Sequence, residues 1–432
     1  MTSEKSTEKI GYRDIFSQRE YLKLLTSNVV NRFGDAVDSI TFTWLTYALT
    51  GSASWSAIVF GLNQLPSILI QPLAAVWVEK ANKKMIMAAT DIIRGFIVML
   101  LAVTYIINAL SPWLLAILTI SISTAEAFRI PAGTGIIPQI IDLKYYSFAN
   151  GLNKSLTTVV ELIGTGLSGV ILAVFGIPMA IGIDMISYFI SALMILFIHP
   201  IETVPEPAAE IRPEGEKKSA FFTWWDNYKM TFKEGLSYIK KHRVIINFCI
   251  LGITANGMLV PLNALLTPVI RQVWGQGAPL LSGFSLALTA GCGIGGFVYP
   301  YIAKKLKPRT IIILGGMILS FNYAFLSFGD FLPSVAAIVY VMVCAIAFFM
   351  GVGVALVSSC YGVQLVQCIE KDFLARITGL VNAFASASMP ILSFIISFLA
   401  LYLPVAVILL IGAAAGILIF FIIGIKKVDF EE

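Results

Sequence analysis

Charge is scarce in this sequence. Lys, Arg, Asp and Glu make up 13% of its 432 residues, while 58% are apolar and the mean hydropathy is +0.86. An ordinary soluble chain is about a quarter charged, so this composition excludes a soluble globular protein and makes hydrocarbon the solvent of most of the chain. Histidine is nearly missing too: only His199 and His242 occur, both at the edges of apolar runs. The five cysteines (Cys249, Cys292, Cys344, Cys360, Cys368) stand singly in apolar stretches. None has the CxxC or Cys/His spacing that zinc or an iron–sulfur cluster needs, so they read as small core residues and no metal or cofactor is expected. There is no HExxH, no Walker loop and no Gly-rich nucleotide turn, which argues against a membrane enzyme and against ATP-driven transport. The first twenty residues are polar, so no cleavable signal is expected and the N-terminus is read as cytoplasmic.

What the chain has instead is a series of long apolar runs. A helix needs about 20 residues to cross roughly 30 Å of hydrocarbon. Windows of that length fall near 22–48, 54–79, 85–108, 112–138, 147–175 and 177–199, then near 244–270, 280–303, 310–329, 333–364, 373–400 and 402–425. The net charge of +5 does not point to nucleic acid, because the basic residues lie in short clusters between these runs. Lys80, Lys83 and Lys84, then Lys144, then Lys304, Lys305, Lys307 and Arg309, then Lys371 and Arg376, then Lys426 and Lys427 all fall on one side if there are twelve spans. Arg271 alone falls on the other. The positive-inside rule then predicts an all-α membrane protein of about twelve helices with both termini cytoplasmic.

Residues 200–243 mix Pro, Glu, Lys and Ser before turning amphipathic, and read as a linker leading into an interfacial helix. They separate a six-helix half (22–199) from a second (244–425), flanked by tails 1–21 and 426–432. A weak repeat supports the division: VWVEKANKKMIM follows the second span and YIAKKLKPRTII the eighth. Parallel halves of this kind characterise secondary transporters.

A charged residue at the bilayer centre costs about 2.5–3.5 kcal/mol on insertion scales, so each one demands an explanation. In the first span Asn31, Asp35 and Asp38 share a face, and Arg32 is spaced to pair with Asp35. Glu126 and Arg129 are an i, i+3 pair in the fourth span, and Glu161 sits halfway along the fifth without a partner on its own helix. These seven residues are the candidates for proton coupling or substrate binding, with Arg32 and Arg129 as switchable partners. A carboxylate that gains or loses an Arg partner during a conformational change binds and releases a proton. The alternative for each i, i+3 pair is permanent mutual neutralisation. Asp184 in the sixth span reads as structural, capping a neighbouring turn. The second half carries almost no ionisable residue in its interior and offers Asn256, Asn263, Gln364, Asn322, Tyr323 and Asn382 as a hydrogen-bonding, otherwise apolar wall. Small residues in LTAGCGIGG and FFMGVGVAL predict close helix packing there.

Several segments resemble the major facilitator superfamily, and within it the branch of macrolide-efflux and enterobactin-exporter-like proteins. PLAAVWVEKANKKMIMAATDIIRG is similar to its loop motif G-x-L-A-D-R-x-x-R-R, with Glu79 at the Asp position, Lys80 at the following Arg, Lys83 and Lys84 in the basic pair, and Ala75 replacing the glycine. NRFGDAV resembles the first span, IGIDMISYFISALM the D-x-x-S-F segment of the sixth, and LVQCIEKDFLARITGLVNAF the connection from the tenth to the eleventh. Thr165 stands where the antiporter motif has Pro, and FRIPAGTG has Gly133 where the family pattern has Arg. The resemblance implies a monomeric, proton-coupled exporter of amphiphilic, drug-like or macrolide-like molecules in a bacterial inner membrane. It also implies a gating role for Glu79, Lys80 and Arg376 at the basic loops, and for Asp91 and Arg94 about two turns inside the third helix. A metal-ion or siderophore exporter or importer, and a membrane sensor without turnover, remain open alternatives on the residues alone.

Overall fold

A computed structural model describes residues 15–142, 145–199, 233, 236–329, 335–369, 374–426 and 428–430. Among these the chain forms helices and turns and no strand. That is the outcome hydrocarbon dictates, since a helix satisfies every backbone N–H and C=O within its own segment. The helices are α1 (Arg19–Thr50), α2 (Ala53–Leu69, resumed as Gln71–Lys80), α3 (Lys83–Ile106) and α4 (Pro112–Ile140). A continuous stretch Tyr146–Leu196 follows, broken at Gly176 into α5 (146–175) and α6 (177–196). After it come α7 (Arg243–Pro268, continued by a π-turn Val269–Val273), α8 (Ala278–Ala303), α9 (Pro308–Leu326), α10 (Ala336–Gln367), α11 (Leu374–Leu399) and α12 (Val405–Ile425).

Ten described helices are long and apolar enough to cross a membrane. One of them contains both α5 and α6, whose junction needs the left-handed φ of +78° at Gly176. The 32-residue α1 falls outside that set because Arg32, Asp35 and Asp38 lower its hydropathy, and with it the candidate crossing segments among the described residues number twelve. Their ends are marked chemically. Asn82 accepts a hydrogen bond from the Met85 amide at the start of α3, Ser111 does the same for Leu114 at the start of α4, and Pro308 opens α9.

By internal contacts the chain forms two compact units, residues 1–42 with 65–208, and residues 43–64 with 209–432. The first has an apolar core in which Tyr21, Leu24, Met87, Ala132, Ile136 and Ile195 are buried together, tied by the Tyr21 hydroxyl donating to the Ala149 carbonyl at 2.7 Å. In the second, α8 and α10 touch backbone to backbone: a Cβ on Gly291 would lie 2.0 Å from the Phe348 carbonyl oxygen, and one on Gly351 at 2.0 Å from that of Leu288. These are the glycines of the small-residue runs, and they serve close packing. Also within the second unit, Arg271 stacks on the Trp44 ring at 4.1 Å and Gln272 donates to the Tyr47 hydroxyl at 2.8 Å. Arg271 thus has an aromatic partner. The proposed interfacial helix lies outside the described residues except for Lys233 and 236–242.

Candidate functional site

The polar residues of the first unit converge between α1, α3, α4, α5 and α6, and their pairing differs from the one suggested by spacing along single helices. Arg32 does not pair with Asp35. It reaches α5, where its Nη2 lies 2.7 Å from Glu161 Oε2, and both side chains are about two-fifths exposed, at 43% and 38%. Glu161 therefore has a partner, from a different helix. Asp35 is held instead from α3 and α6: Arg94 Nη2 donates to its Oδ1 at 3.1 Å and the Tyr188 hydroxyl donates to the same oxygen at 2.8 Å. The Arg94 guanidinium also lies over the Tyr188 ring at 4.3 Å and 4.0 Å from Glu126 Oε2. It is 4% exposed, so these contacts are made out of water.

Glu126 and Arg129 do not pair either. Arg129 Nε donates to Asp91 Oδ1 at 2.5 Å, and the other oxygen of Asp91 accepts from the Ser191 hydroxyl at 2.6 Å. Ser191 has a single hydroxyl proton and gives it to Asp91, so in its 2.8 Å contact with Ser27 the Ser27 hydroxyl is the donor. Asp91 is fully buried and both its oxygens are satisfied. Asp91 and Arg94, about two turns inside α3 as their sequence positions place them, are central to this buried network.

The register of α1 on α6 explains the convergence. The helices run antiparallel, with Ser27 opposite Ser191 and Gly34 opposite Ser187 and Asp184. A Cβ on Gly34 would lie 1.9 Å from Ser187 Oγ and 2.9 Å from Asp184 Oδ1, so only glycine allows this approach. Asp184 does not cap a turn. Its side chain is 0% exposed and neither carboxyl oxygen has a hydrogen-bond partner, while Ser187 donates to its main-chain carbonyl at 2.8 Å. Asn31 Nδ2 and Arg94 Nε are likewise buried without a partner. Asp38 is part-buried, one turn beyond Gly34 on the same face of α1.

Of the loop residues, Glu79 is exposed and its carbonyl accepts from Lys83 at 3.1 Å. The side chains of Lys80 and Arg376 lie outside the described residues. In the second unit Asn256 is part-buried, whereas Asn263 and Asn382 are exposed. Gln364 lies with Tyr299 and Lys304–Pro308 around a cavity of about 390 Å³, placing it at the basic connection between α8 and α9. Among the described residues no group of three or more His, Cys, Asp or Glu is placed to hold a metal ion. Single-helix spacing left out Tyr188, Ser27 and Ser191. Asp184, Tyr188 and Ser191 recur at i, i+4, i+7, and that polar face on α6 was the available signal.

Helices of this number, carrying a buried ionic network in one half, are the frame of a transporter, and residues 24–393 match the family model for the Major Facilitator Superfamily. The chain belongs to that superfamily. As such it is a multi-pass membrane transporter and not an enzyme. It is 23% identical over 388 residues to the MFS-type transporter YkuC of Bacillus subtilis (86% of this chain, 83% of the relative). It is 22% identical to Macrolide efflux protein A of Streptococcus pyogenes (83% and 85%) and 22% identical to the multidrug efflux pump Tap of Mycobacterium tuberculosis (85% and 84%). Among solved structures, the nucleoside transporter NupG aligns with a TM-score of 0.72 at 12% identity, covering 93% of this chain and 97% of its own. The POT family transporter PepTSo aligns at 0.70 and 14%, covering 96% and 98%. At such identities the structures speak for the superfamily fold alone.

Proposed function

We propose that this superfamily member is a proton-coupled exporter of amphiphilic small molecules that works by alternating access in a bacterial inner membrane, as a monomer with both termini cytoplasmic. The observation that carries the reading is the imbalance of charge in the first unit. Apart from the Arg32–Glu161 pair, five acids (Asp35, Asp38, Asp91, Glu126 and Asp184) share two arginines, Arg94 and Arg129. Acids in excess of their cations within a membrane span must be neutralised by protons or by a cationic substrate, and exchanging one for the other is antiport. The efflux names of two relatives at 22% identity support the substrate class and the direction. The aromatic and apolar second unit would supply affinity for a greasy molecule, and its scarcity of charge leaves the coupling to the first.

The test is transport by purified protein in liposomes under an imposed pH gradient, with ethidium, a macrolide, a siderophore and a divalent metal as probes, and Asp38→Asn and Glu161→Gln alongside the wild type. The reading expects ethidium or the macrolide to move against proton flow and a substitution to uncouple it. Movement indifferent to the gradient and to both substitutions would remove it in favour of a uniporter.

A further inference from the structure

We propose that Asp184 is the group that carries the exchanged proton, with Asp38 as its neighbour across the α1–α6 contact; this deepens the proton-coupled reading and rests on it. Asp184 is the most isolated acid of the network. Asp35 accepts two donors, Asp91 accepts from Arg129 and Ser191, and Glu161 is paired with Arg32. Asp184 is fully buried with both oxygens bare. Its surroundings explain why no donor arrives. Gly34 brings the α1 backbone against the carboxyl, and a helix interior has no free N–H to offer. The nearby Ser187 hydroxyl is committed to the Asp184 carbonyl.

The charged and titratable groups that face Asp184 are Asp35 and Asp38 from α1, Arg94 from α3, Glu126 from α4, and Tyr188 from its own helix. Acids outnumber cations there, and Arg94 gives its Nη2 to Asp35 with Glu126 nearby. An ionised carboxylate in this position would have burial and neighbouring acids against it and no hydrogen bond in its favour, whereas the protonated acid carries no charge to solvate.

The same region also holds what the ionised form would need. Asn31 Nδ2, on the Gly34 face of α1, and Arg94 Nε are both buried donors without acceptors. Two unmet donors and two unmet acceptors in one buried region mark a site with a second arrangement, in which a shift of α1 along α6 brings Asn31 to Asp184 and carries Asp35 away from Arg94, whose guanidinium is then free to turn to Asp184. There the O–H bond breaks with its electron pair staying on the carboxylate oxygen, the proton leaves to water, and Asn31 and Arg94 hold the resulting anion. Return of α1 strips the donors away and the carboxylate takes a proton from the other side.

The experiment uses the full-length protein in lipid nanodiscs and follows the carbonyl stretch of protonated carboxylic acids by infrared difference spectroscopy across a pH titration. A band that persists at neutral pH in the wild type, is retained in Asp184→Glu and disappears in Asp184→Asn is expected. A band unchanged in Asp184→Asn overturns the assignment. Should Asp184→Asn fail to fold, the wild type is treated with dicyclohexylcarbodiimide, which attacks protonated carboxyls in apolar surroundings, and the adduct is mapped by mass spectrometry. An adduct at Asp184 that forms more slowly as pH rises supports the proposal, and adducts at other acids with Asp184 unmodified overturn it. In liposomes, Asp184→Asn should lose gradient-driven ethidium movement by about ten-fold or more. If wild-type vesicles move no probe under a gradient while the band follows Asp184, the exporter reading fails and the proton site stands. If transport is coupled in both wild type and Asp184→Asn, the reading stands and the site is wrong.

Discussion

Replacing Arg94 by Met should destabilise the first unit more than any other single substitution of a charged residue. The guanidinium is 4% exposed, bonds Asp35 at 3.1 Å, stacks on Tyr188 at 4.3 Å and lies 4.0 Å from Glu126. Removing one partner of a buried ion pair costs about 3–5 kcal/mol, chiefly because the other charge is left uncompensated. Asp35 is 20% exposed and keeps the Tyr188 hydrogen bond, which favours the lower end. The lost stacking on Tyr188 adds about 1–2 kcal/mol for a desolvated cation. Arg94→Met is therefore expected to cost about 4 kcal/mol. In the double variant Asp35→Asn/Arg94→Met the stranded charge is gone, so the cost should fall short of the sum of the two single changes by about 1–3 kcal/mol. The assay is reversible unfolding in mixed micelles by titration with sodium dodecyl sulfate, read by tryptophan fluorescence, for wild type, both singles and the double. A single-variant cost below about 1 kcal/mol, or strict additivity in the cycle, would refute the description of Arg94 as a buried hub.

The Arg32–Glu161 pair makes the opposite prediction: at 43% and 38% exposure it is solvated, so Arg32→Gln should change stability by less than about 1 kcal/mol in the same assay, while transport is where its loss is felt. Gly34→Ala forces a Cβ to within 1.9 Å of Ser187 Oγ and should cost about 1–3 kcal/mol, with part recovered in Gly34→Ala/Ser187→Gly, whereas full stability in the single variant would disprove the close α1–α6 approach. At the start of α1, partial burial works to raise the Glu20 pKa. Hydrogen bonds from Lys23 and the His199 amide, with the Lys23 and His199 charges, outweigh it and hold the carboxyl below its ordinary 4.5. A lowered folded-state value means that this tie between α1 and the end of α6 contributes above pH 4.5 and is lost as pH falls through the lowered value. The melting-temperature gap between wild type and Glu20→Gln should accordingly close only in acid.

The sequence by itself determined the class, the number of crossings and their boundaries. Those follow from one-dimensional quantities: the length of apolar runs against bilayer thickness and the alternation of basic turns. Even the break between α5 and α6 at Gly176 falls where two apolar windows meet, because Gly followed two residues later by Pro is a local signal. The candidate acids were legible for the same reason, since any charge inside an apolar run stands out. Their partners were not. Spacing along a helix sees only i, i+3 and i+4 neighbours, so it offered Arg32 to Asp35 and Arg129 to Glu126. The tertiary structure chose Glu161, Arg94 and Asp91 instead, because helix packing brings α1, α3, α4, α5 and α6 side by side and a cation chooses among everything within about 4 Å. The state of Asp184 was decided by the same packing. One glycine on α1 admits the Ser187 and Asp184 side chains of α6 so closely that a fully buried carboxyl lies against the α1 backbone with no donor, and no reading of α6 alone could show what lies across from it.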